Sequence, residues 1–416
     1  MKKKLLVMML LMSFVALMLS GCGTGEGDSD GTGEGTSGSS VIKLVVWSDA
    51  ASYNAINKLA DEFKKENSSK VQLNIHVEKR DIESMKQSVV KDVEQAADVY
   101  PITDDIFMTL IAGGAIAEVS QESTTKADNQ KEACDAFTYS NKQYAYPTSV
   151  HKMYCLYYNK SLYKSGDLKT LDDVLAVAEK NGKKVSMDMA SGDIVYSFFG
   201  KAAGLKVAAS SDGLSNTCNW NEKTTMTKGA DVAGAMLAVS ANKGFINQKT
   251  ADAVKAMKSG SVVACIADVS QQEAIRQALG EDYAVAKLPT YTCGKKQIQM
   301  TSFASYKAMA VNYYSANKEW AQKFADWVTN EDNQKKLYEN VQMVPTNKAL
   351  TTSADLKKDS GVQAVVEQGH LSSVFVLTEN YWAPTEKFGA EMAKGNKNVQ
   401  PLLDKMTDGI KASISK

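Results

Sequence analysis

The segment TENYWAPTEKFG, residues 378 to 389, places two large aromatic side chains next to each other in a polar frame, just before a proline. Adjacent rings such as Tyr381 and Trp382 fit neither the alternation of a half-buried strand nor the spacing of a helix stripe. Rings of this size supply a large contact area when they stack on a ligand. The pair is therefore a candidate for non-covalent binding.

Aspartates follow three of the predicted strands near the points where those strands end. Asp49 comes two residues after Trp47, which closes VIKLVVW, while Asp104 and Asp105 come shortly after ADVYP and Asp268 follows VVACIA. Parallel α/β sheets bind ligands at the carboxyl ends of their strands, and ionised carboxylates are strong hydrogen-bond acceptors. These side chains are therefore candidate ligand contacts. Capping of the next helix is the alternative for the aspartates, and core packing is the alternative for Trp47.

No sequence motif for covalent or metal-dependent catalysis accompanies these side chains. GxSxG, HExxH, Walker and GxGxxG patterns are absent from the sequence, and its three histidines lack metal-ligand spacing. The six cysteines include no CxxC pair, which argues against zinc and redox motifs. We therefore predict neither a metal nor a cofactor.

The amino-terminal segment has the three parts of a bacterial export signal. Lysines at positions 2 to 4 and an apolar run over 5–19 precede Leu19-Ser20-Gly21-Cys22, which looks like a lipobox. The run is shorter than the roughly 20 residues that span a bilayer, and it fits a signal peptide. We predict that residues 1–21 are a leader and that Cys22 is lipidated. An ordinary secretory signal with an incidental cysteine is the alternative.

Residues 22–40 are predicted to be a lipidated cysteine and a flexible tether, because a run of Gly, Ser, Thr and acidic residues buries too little apolar surface to fold. Acyl chains would hold the protein on the outer face of the cytoplasmic membrane, as in a Gram-positive bacterium. Removing the leader takes three of the 48 basic residues and leaves 45 against 48 acidic ones. This near-neutral balance argues against a nucleic-acid partner.

Strand and helix patterns alternate along the rest of the chain. The first patterns are a β-branched run at 41–47, an amphipathic helix at 52–66, an alternating strand at 71–77, a helix at 81–95 and a strand at 97–101. This rhythm predicts a doubly wound α/β lobe. A second α/β region begins near residue 143, and the body is longer than one core usually supports. We therefore predict two α/β lobes.

Several segments in this order resemble the extracellular solute-binding proteins of ABC importers, in particular the maltose- and maltodextrin-binding group. The matching segments are IKLVVWSD, ADVYPITDD with LIAGGAIAEV, YAYPTS with LYYNKSLY, YAVAKLPTY, NKEWAQKFADWVTNEDNQ and ENYWAP. Each is weak alone, but together they are collinear over nearly the whole body. The resemblance implies a periplasmic-binding-protein-like fold of type II, in which two lobes close over a sugar cleft by hinge bending.

The resemblance also implies a division of the chain and a set of partners. The first lobe would comprise 41–149 plus 290–344, and the second 150–289 plus 345–416. The hinge would lie near Thr148 to Val150, Pro289 and Pro345. The protein would be a monomer without a cofactor. It would capture an oligosaccharide, with malto-oligosaccharides expected first, and deliver it to an ABC permease in the membrane.

A pyranose has an apolar CH face and a rim of hydroxyls, so its receptor needs aromatic planes together with carboxylates or amides. Position in the family pattern makes Trp382 the expected stacking platform and favours Asp105 over Asp104 as a sugar contact. The predicted substrate-binding residues are Trp382, Tyr381, Asp105, Trp47, Asp49, His151, Asp193, Tyr196 and Asp268.

Two departures from the family pattern favour a different sugar, linkage or register. Relatives tend to carry Asp, Asn and Gly where this chain has His151, Lys152 and Met153, so His151 is placed in the cleft by resemblance, with a structural role as its alternative. Many relatives have a stacking tryptophan after the strand that matches VVACIA. This chain has Asp268 and Val269 there, and Asp268 could instead bind a hydroxyl. A solute-binding protein for another oligosaccharide is therefore the alternative.

The remaining tryptophans are expected outside the site. Trp320 and Trp327 recur with Phe324 at helical spacing, which predicts a core face, and Trp220 lies in a polar run that predicts a loop or surface strand.

Two other classes of function remain as alternatives. One is a surface glycoside hydrolase, which needs two carboxylates about 5 to 10 Å apart, and the other is an adhesin or peptide-binding lipoprotein.

Overall fold

The computed structural model of the protein describes residues 41–211, 213–374 and 376–413. The predicted leader, Cys22 and the tether lie outside the described residues. The seventeen strands of the described part are β1 (Ile42–Ser48), β2 (Leu73–Lys79), β3 (Val99–Thr103), β4 (Thr138–Tyr139), β5 (Lys142–Gln143), β6 (Ala145–Lys152), β7 (Tyr154–Asn159), β8 (Lys184–Met187), β9 (Val207–Ala209), β10 (Asn216–Cys218), β11 (Phe245–Asn247), β12 (Val262–Asp268), β13 (Tyr283–Ala286), β14 (Thr290–Cys293), β15 (Lys296–Gln299), β16 (Phe303–Val311) and β17 (Ser373–Val374).

Helices follow most of these strands, as the alternating patterns predict. The α-helices of the described ranges are α1 (Tyr53–Asn67), α2 (Ile82–Lys91), α3 (Asp104–Ala112), α4 (Glu122–Asp128), α5 (Lys131–Asp135), α6 (Leu171–Lys180), α7 (Gly192–Phe199), α8 (Gly229–Ala241), α9 (Thr250–Lys258), α10 (Gln272–Leu279), α11 (Lys318–Val328), α12 (Glu331–Val341), α13 (Lys348–Thr351), α14 (Ser360–Gly369), α15 (Trp382–Ala393) and α16 (Val399–Lys411). Short 3-10 turns occur at Val93–Gln95, Ser165–Leu168, Val269–Gln271, Gly280–Asp282, Leu356–Lys358 and Glu379–Tyr381.

The first sheet has the order β2-β1-β3-β16, with β6 and β17 also paired to β16. Strands β1, β2 and β3 are parallel, whereas β16 runs antiparallel to β3. Lys307 therefore pairs with Thr103 at the carboxyl end of β3, and Val311 pairs with Val99 at the opposite end. This register puts Lys307 at the sheet edge where ligands of such folds bind.

The second sheet has the order β11-β8-β12-β7-β13, with β7 antiparallel to both neighbours. Strand β6 of the first sheet is followed by β7 of the second after a single residue, Met153. The backbone N–H of Met153 donates to Asp268 Oδ2 over 3.0 Å, which fastens this junction to the end of β12. The ends of β6 and β12 are thereby held side by side.

Apolar side chains cover both sheets. The buried residues Ile56, Leu59 and Phe63 form one stripe of α1, and Phe324 of α11 meets Phe63 edge to face at 5.4 Å. These contacts confirm the predicted core faces. Trp220 lies at a turn, but the prediction of a surface position is wrong: it is 1% exposed and stacks on Phe199 at 4.2 Å.

The β14–β15 hairpin packs with the second sheet. Tyr291 and Ile298 of this hairpin lie in the apolar cluster that covers the second sheet, whereas the resemblance implied that segment 290–344 belongs to the first lobe. Helix α15 begins at Trp382. Pro384 lies in the first turn of α15, where a missing N–H costs no helical hydrogen bond.

The described cysteines are Cys134, Cys155, Cys218, Cys265 and Cys293; all are buried and none forms a disulfide. Within the described ranges, no helix is both long enough and apolar enough to cross a membrane.

Candidate functional site

Asp49 and Lys307 form a largely buried ion pair just beyond the carboxyl end of β1. Asp49 Oδ1 accepts from the backbone N–H groups of Ala51 and Ser52 at 3.0 and 2.9 Å, and Asp49 Oδ2 lies 3.2 Å from Lys307 Nζ. Burial acts to raise the pKa of Asp49, but Lys307 and the Ser52 N–H outweigh it and hold the pKa below its usual range. Asp49 is therefore ionised, and it holds the turn that precedes α1 as well as facing this edge.

Trp47 lies in the core rather than facing a ligand. The side chain is 3% exposed, and its Nε1–H donates to Glu78 Oε2 over 3.1 Å. The guanidinium carbon of Arg80 lies 4.3 Å from the ring centroid, and Tyr100 packs against the ring at 5.9 Å. These contacts give Trp47 the core-packing role that was its alternative, although it also lines a small cavity with Asp49 and Lys307, and its contact with a ligand stays a prediction.

The two adjacent aspartates at the start of α3 have different surroundings. Asp104 is buried, its Oδ1 accepts from the backbone N–H of Tyr306 at 2.8 Å, and it also accepts from the Ser305 hydroxyl. Burial raises the pKa of Asp104 to about 6. Asp105 is exposed on the first turn. Of the two carboxylates, Asp105 is the one available to a ligand.

His151 lies near the end of β6, where the first sheet meets the second. Its side chain reaches solvent, yet partial burial by the surrounding walls lowers its pKa, and Lys307 lowers the pKa further against the opposing charges of Asp268 and Asp105. A cavity of about 260 Å³ opens here, lined by His151, Lys307, Ser270 and Glu273 among others. A histidine in this position is neutral at pH 7, so its ring can both donate and accept hydrogen bonds.

Lys152, Asp193 and Trp382 form a contiguous group on the second-lobe side. Lys152 Nζ lies 3.0 Å from Asp193 Oδ1 and 5.1 Å from the centroid of the Trp382 ring. Asp193 is held at the start of α7, where the Asp193 N–H donates to Ser191 Oγ. Burial raises the pKa of Asp193, and Lys152 opposes this shift. A cation, a carboxylate and a half-exposed indole thus share one surface.

Trp382 and Tyr381 are adjacent in the chain, but their side chains lie in different surroundings at the start of α15. Trp382 is half-buried and packs edge to face on Phe303 at 6.3 Å, so part of its ring stays accessible. Tyr381 has 0% exposure, and its hydroxyl donates to the carbonyl of Gly192 over 2.8 Å. The core encloses the ring of Tyr381, so Trp382 is the accessible member of the pair, and a ligand contact by Tyr381 stays a prediction.

The last two predicted site residues, Asp268 and Tyr196, make contacts within the protein. Asp268 Oδ2 accepts from the Met153 N–H and Asp268 Oδ1 from the Ser270 N–H, each at 3.0 Å, so this carboxylate mainly positions the backbone beside His151. Tyr196 is 8% exposed and stacks on Phe303 with centroids 3.7 Å apart. Its ring is thus packed against the core, and a ligand contact by Tyr196 stays a prediction.

The candidate residues form two groups, one at each sheet, with Asp268 and His151 between them. Asp49, Lys307 and Asp105 belong to the edge of the first sheet, and Lys152, Asp193 and Trp382 lie beside the second. Lys152 was not among the predicted residues and joins the candidates through its distances to Asp193 and Trp382. Among the described residues, no group of three or more His, Cys, Asp or Glu side chains could hold a metal ion.

Comparisons with known proteins agree with this architecture. Residues 58–364 match the family described as "Bacterial extracellular solute-binding protein". The galactooligosaccharide-binding protein of Bacillus subtilis (strain 168) is 28% identical over 100% of this chain and 98% of its own length. The maltooligosaccharide ABC transporter solute-binding lipoprotein of Streptococcus pneumoniae (strain ATCC BAA-255 / R6) is 25% identical over 91% and 90%.

Solved structures share the fold at lower identity. Maltodextrin binding protein MalE1 from L. casei BL23 superimposes with a TM-score of 0.75 at 23% identity, covering 90% of this chain and 100% of its own. The maltose-binding periplasmic protein MalE from Listeria monocytogenes, in complex with maltose, gives 0.72 at 24%, covering 89% and 97%. These likenesses confirm the type II periplasmic-binding-protein fold. With its family match over residues 58–364, the chain belongs to the bacterial extracellular solute-binding proteins.

Proposed function

We propose that the chain is the substrate-binding component of a carbohydrate ABC importer and that it binds an oligosaccharide between its two lobes. The names of the two relatives, one a galactooligosaccharide-binding protein and one a maltooligosaccharide transporter component, support this class of ligand. The observation that carries the proposal is the surface formed by Trp382, Lys152 and Asp193.

That surface has the two kinds of group that a sugar ring requires. The CH face of a pyranose stacks on the accessible part of the Trp382 indole. Asp193 then accepts hydrogen bonds from ring hydroxyls, and Lys152 donates one after moving off the indole face. Asp105 on the other lobe and His151 at the junction of β6 and β7 supply further hydrogen-bonding groups to the same ligand. Contact with both lobes stabilises the closed form over the open one, which is the condition for ligand-driven closure.

Malto-oligosaccharides are the first candidate ligands and galacto-oligosaccharides the second. Three relatives that are 25% identical to this chain are named for maltooligosaccharides or maltodextrin, whereas the relative at 28% is named for galactooligosaccharides. The chain has Val269 and Ser270 after β12 rather than a tryptophan, so Trp382 is the main stacking platform. One platform suits a short oligosaccharide.

We further propose that the protein acts as a lipid-anchored monomer on the outer face of the cytoplasmic membrane. Cys22 carries the anchor, and the closed form delivers its ligand to an ABC permease. The lobes follow the division predicted from the sequence, except that the β14–β15 hairpin moves with the second lobe because Tyr291 and Ile298 pack there. Hinge bending is expected where β6 meets the segment around Pro345, since Ser149 and Pro345 form a bridge there.

Binding without catalysis is part of the proposal. Asp49 is paired with Lys307, which holds its pKa below the usual range, and Asp193 is paired with Lys152, which opposes the rise in its pKa that burial causes. A glycoside hydrolase needs one carboxyl that stays protonated to donate to the leaving group. Incubation of the protein with oligosaccharides, followed by chromatography, should return the intact sugars. Released products would contradict this part of the proposal.

Calorimetric titration with maltotriose, a galactotriose, other oligosaccharides and peptides tests the central proposal. We expect saturable binding of at least one oligosaccharide and a large loss of affinity in Trp382→Ala. Met226→Ala serves as the matched control, since Met226 is 75% exposed and makes no contact with the site. If no saccharide binds, or if only peptides bind, the carbohydrate assignment is wrong.

A further inference from the structure

A second cavity, of about 900 Å³, opens at the edge of the first sheet opposite the cleft. Lys307 of β16 faces the cleft edge, where it pairs with Asp49. Six residues later in the chain, Tyr313 and Tyr314 line the second cavity. At about 3.3 Å per strand residue, the two regions are separated by roughly 20 Å. The cavity therefore shares no wall with the surface that Trp382 forms.

Four tyrosines line this cavity, and three of them are about half exposed. Tyr139, Tyr313 and Tyr314 are 42%, 53% and 48% exposed, and Tyr144 completes the set. The rings of Tyr313 and Tyr314 meet at 5.2 Å and 80°, and those of Tyr139 and Tyr144 at 6.5 Å and 58°. Pairs of tilted rings present flat faces in several directions, which suits a ligand with more than one ring.

The polar groups of the cavity are available to a ligand. None of the four phenol hydroxyls has a hydrogen-bond partner among the residues that the structure describes, and the carboxylate of Asp326 in the cavity wall likewise has no hydrogen bond or ion pair there. Burial raises the pKa of Asp326, which marks it as partly withdrawn from water. A half-buried acceptor without a partner gains from a ligand that donates hydrogen bonds.

The wall behind these groups is held firmly. Gln322 is 7% exposed, its Nε2–H donates to the Glu118 carbonyl over 2.8 Å, and its Oε1 accepts from the Ser120 N–H at 3.3 Å. Glu118 is in turn paired with Lys142 at 2.8 Å. These contacts fix the loop between α3 and α4 against α11, so the cavity is formed before any ligand arrives.

We propose that this cavity is a second saccharide-binding site, independent of the cleft. Exposed tyrosine rings match the apolar faces of sugar rings, and free phenols with an unpartnered carboxylate match their hydroxyls. Lys318 Nζ lies 4.2 Å from the centroid of the Tyr313 ring, so a sugar that stacks there displaces the ammonium. The volume falls in the range of ligand sites for molecules of di- to trisaccharide size. Charged side chains of both signs line the cavity, namely Asp326, Glu118 and Glu319 with Lys318 and Lys323, which suits a ligand without net charge. An acyl chain would leave the phenols and the carboxylate without partners.

The test first weakens the cleft site with Trp382→Ala and then asks whether part of the remaining sugar binding depends on the tyrosines of the second cavity. Trp382→Ala is titrated with maltotriose and with a galactotriose at millimolar concentration, using saturation-transfer NMR and calorimetry. We expect residual weak binding, with transfer of saturation to the sugar CH protons. Adding Tyr313→Ala and Tyr314→Ala should weaken this residual binding by at least about tenfold. Adding Met226→Ala instead should leave it unchanged.

The outcomes separate this inference from the proposed cleft function. Tight binding by the wild-type protein with no residual binding in Trp382→Ala overturns the second site alone. Residual binding that survives both tyrosine substitutions also overturns it. Absence of saccharide binding by the wild type overturns both proposals. Tyr313→Ala and Tyr314→Ala are at exposed positions, so circular dichroism should show an unchanged fold.

Discussion

Replacement of Trp382 by alanine should weaken oligosaccharide binding by about 70-fold. The side chain is half-buried by Phe303 and Tyr381, so a pyranose can cover roughly a third of an indole of about 200 Å². Together with the apolar part of the sugar face, about 100 Å² of apolar surface leaves water. At about 25 cal/mol per Å² this contributes about 2.5 kcal/mol, which corresponds to the 70-fold change in Kd.

The assay is calorimetric titration with the tightest oligosaccharide found for the wild-type protein. Trp382→Phe is the graded control, because a smaller ring keeps part of the stacking area and should lose less affinity than alanine. Tyr381 remains anchored to Gly192 in both variants, so the start of α15 should stay in place, and circular dichroism checks this. A Kd within about threefold of wild type in a folded Trp382→Ala would refute the stacking role.

Three further predictions concern neighbouring parts of the structure. A Cβ added at Gly192 would lie 2.8 Å from Trp382 Cε3, so Gly192→Ala should displace the indole and weaken sugar binding without changing the ring itself; unchanged affinity by calorimetry would contradict this. Lys152→Met keeps an apolar stem over Trp382 but removes the ammonium beside Asp193, so the affinity should fall about tenfold through loss of a charge-assisted hydrogen bond. Lys152→Arg keeps the charge and should retain most of the affinity. Equal Kd values for the two variants would argue against a charged donor. Burial raises the pKa of Asp104 from 3.8 to about 6, so ionisation of this carboxyl opposes folding. The free energy of unfolding should therefore fall by about 3 kcal/mol as the pH rises from about 4 to 6. Urea unfolding should show this fall for the wild type and not for Asp104→Asn, and parallel pH profiles for the two proteins would refute the assignment.

Much of the fold was predictable because its signals are local. The stripe of Ile56, Leu59 and Phe63 identifies α1 from spacing alone, and Thr170 accepts a hydrogen bond from the Asp173 N–H at 3.1 Å, as its capping pattern predicts. The packing of the β14–β15 hairpin was not predictable in this way, because Tyr291 and Ile298 pack against residues distant in sequence. No local pattern records which of two cores a hairpin joins.

The site was harder to predict, because the residue type does not determine the direction in which a side chain points. Tyr381 and Trp382 are adjacent, and side chains one residue apart on a helix start point in different directions, so one ring faces the core and the other the crevice. Trp47 ends a strand that is apolar on both faces, so no alternation shows which face it joins. Lys152 became visible as a site residue only through its distances to Asp193 and Trp382.

The buried thiols give the protein a practical property. All five described cysteines are enclosed, and burial raises the pKa of each; for Cys134 and Cys218 it reaches about 11. Maleimide dyes react with exposed thiolates, so two cysteines introduced on the surface, one on each lobe, would be labelled in preference to the native ones. A fluorescent donor and acceptor attached there would report the distance between the lobes in single molecules as sugar is added.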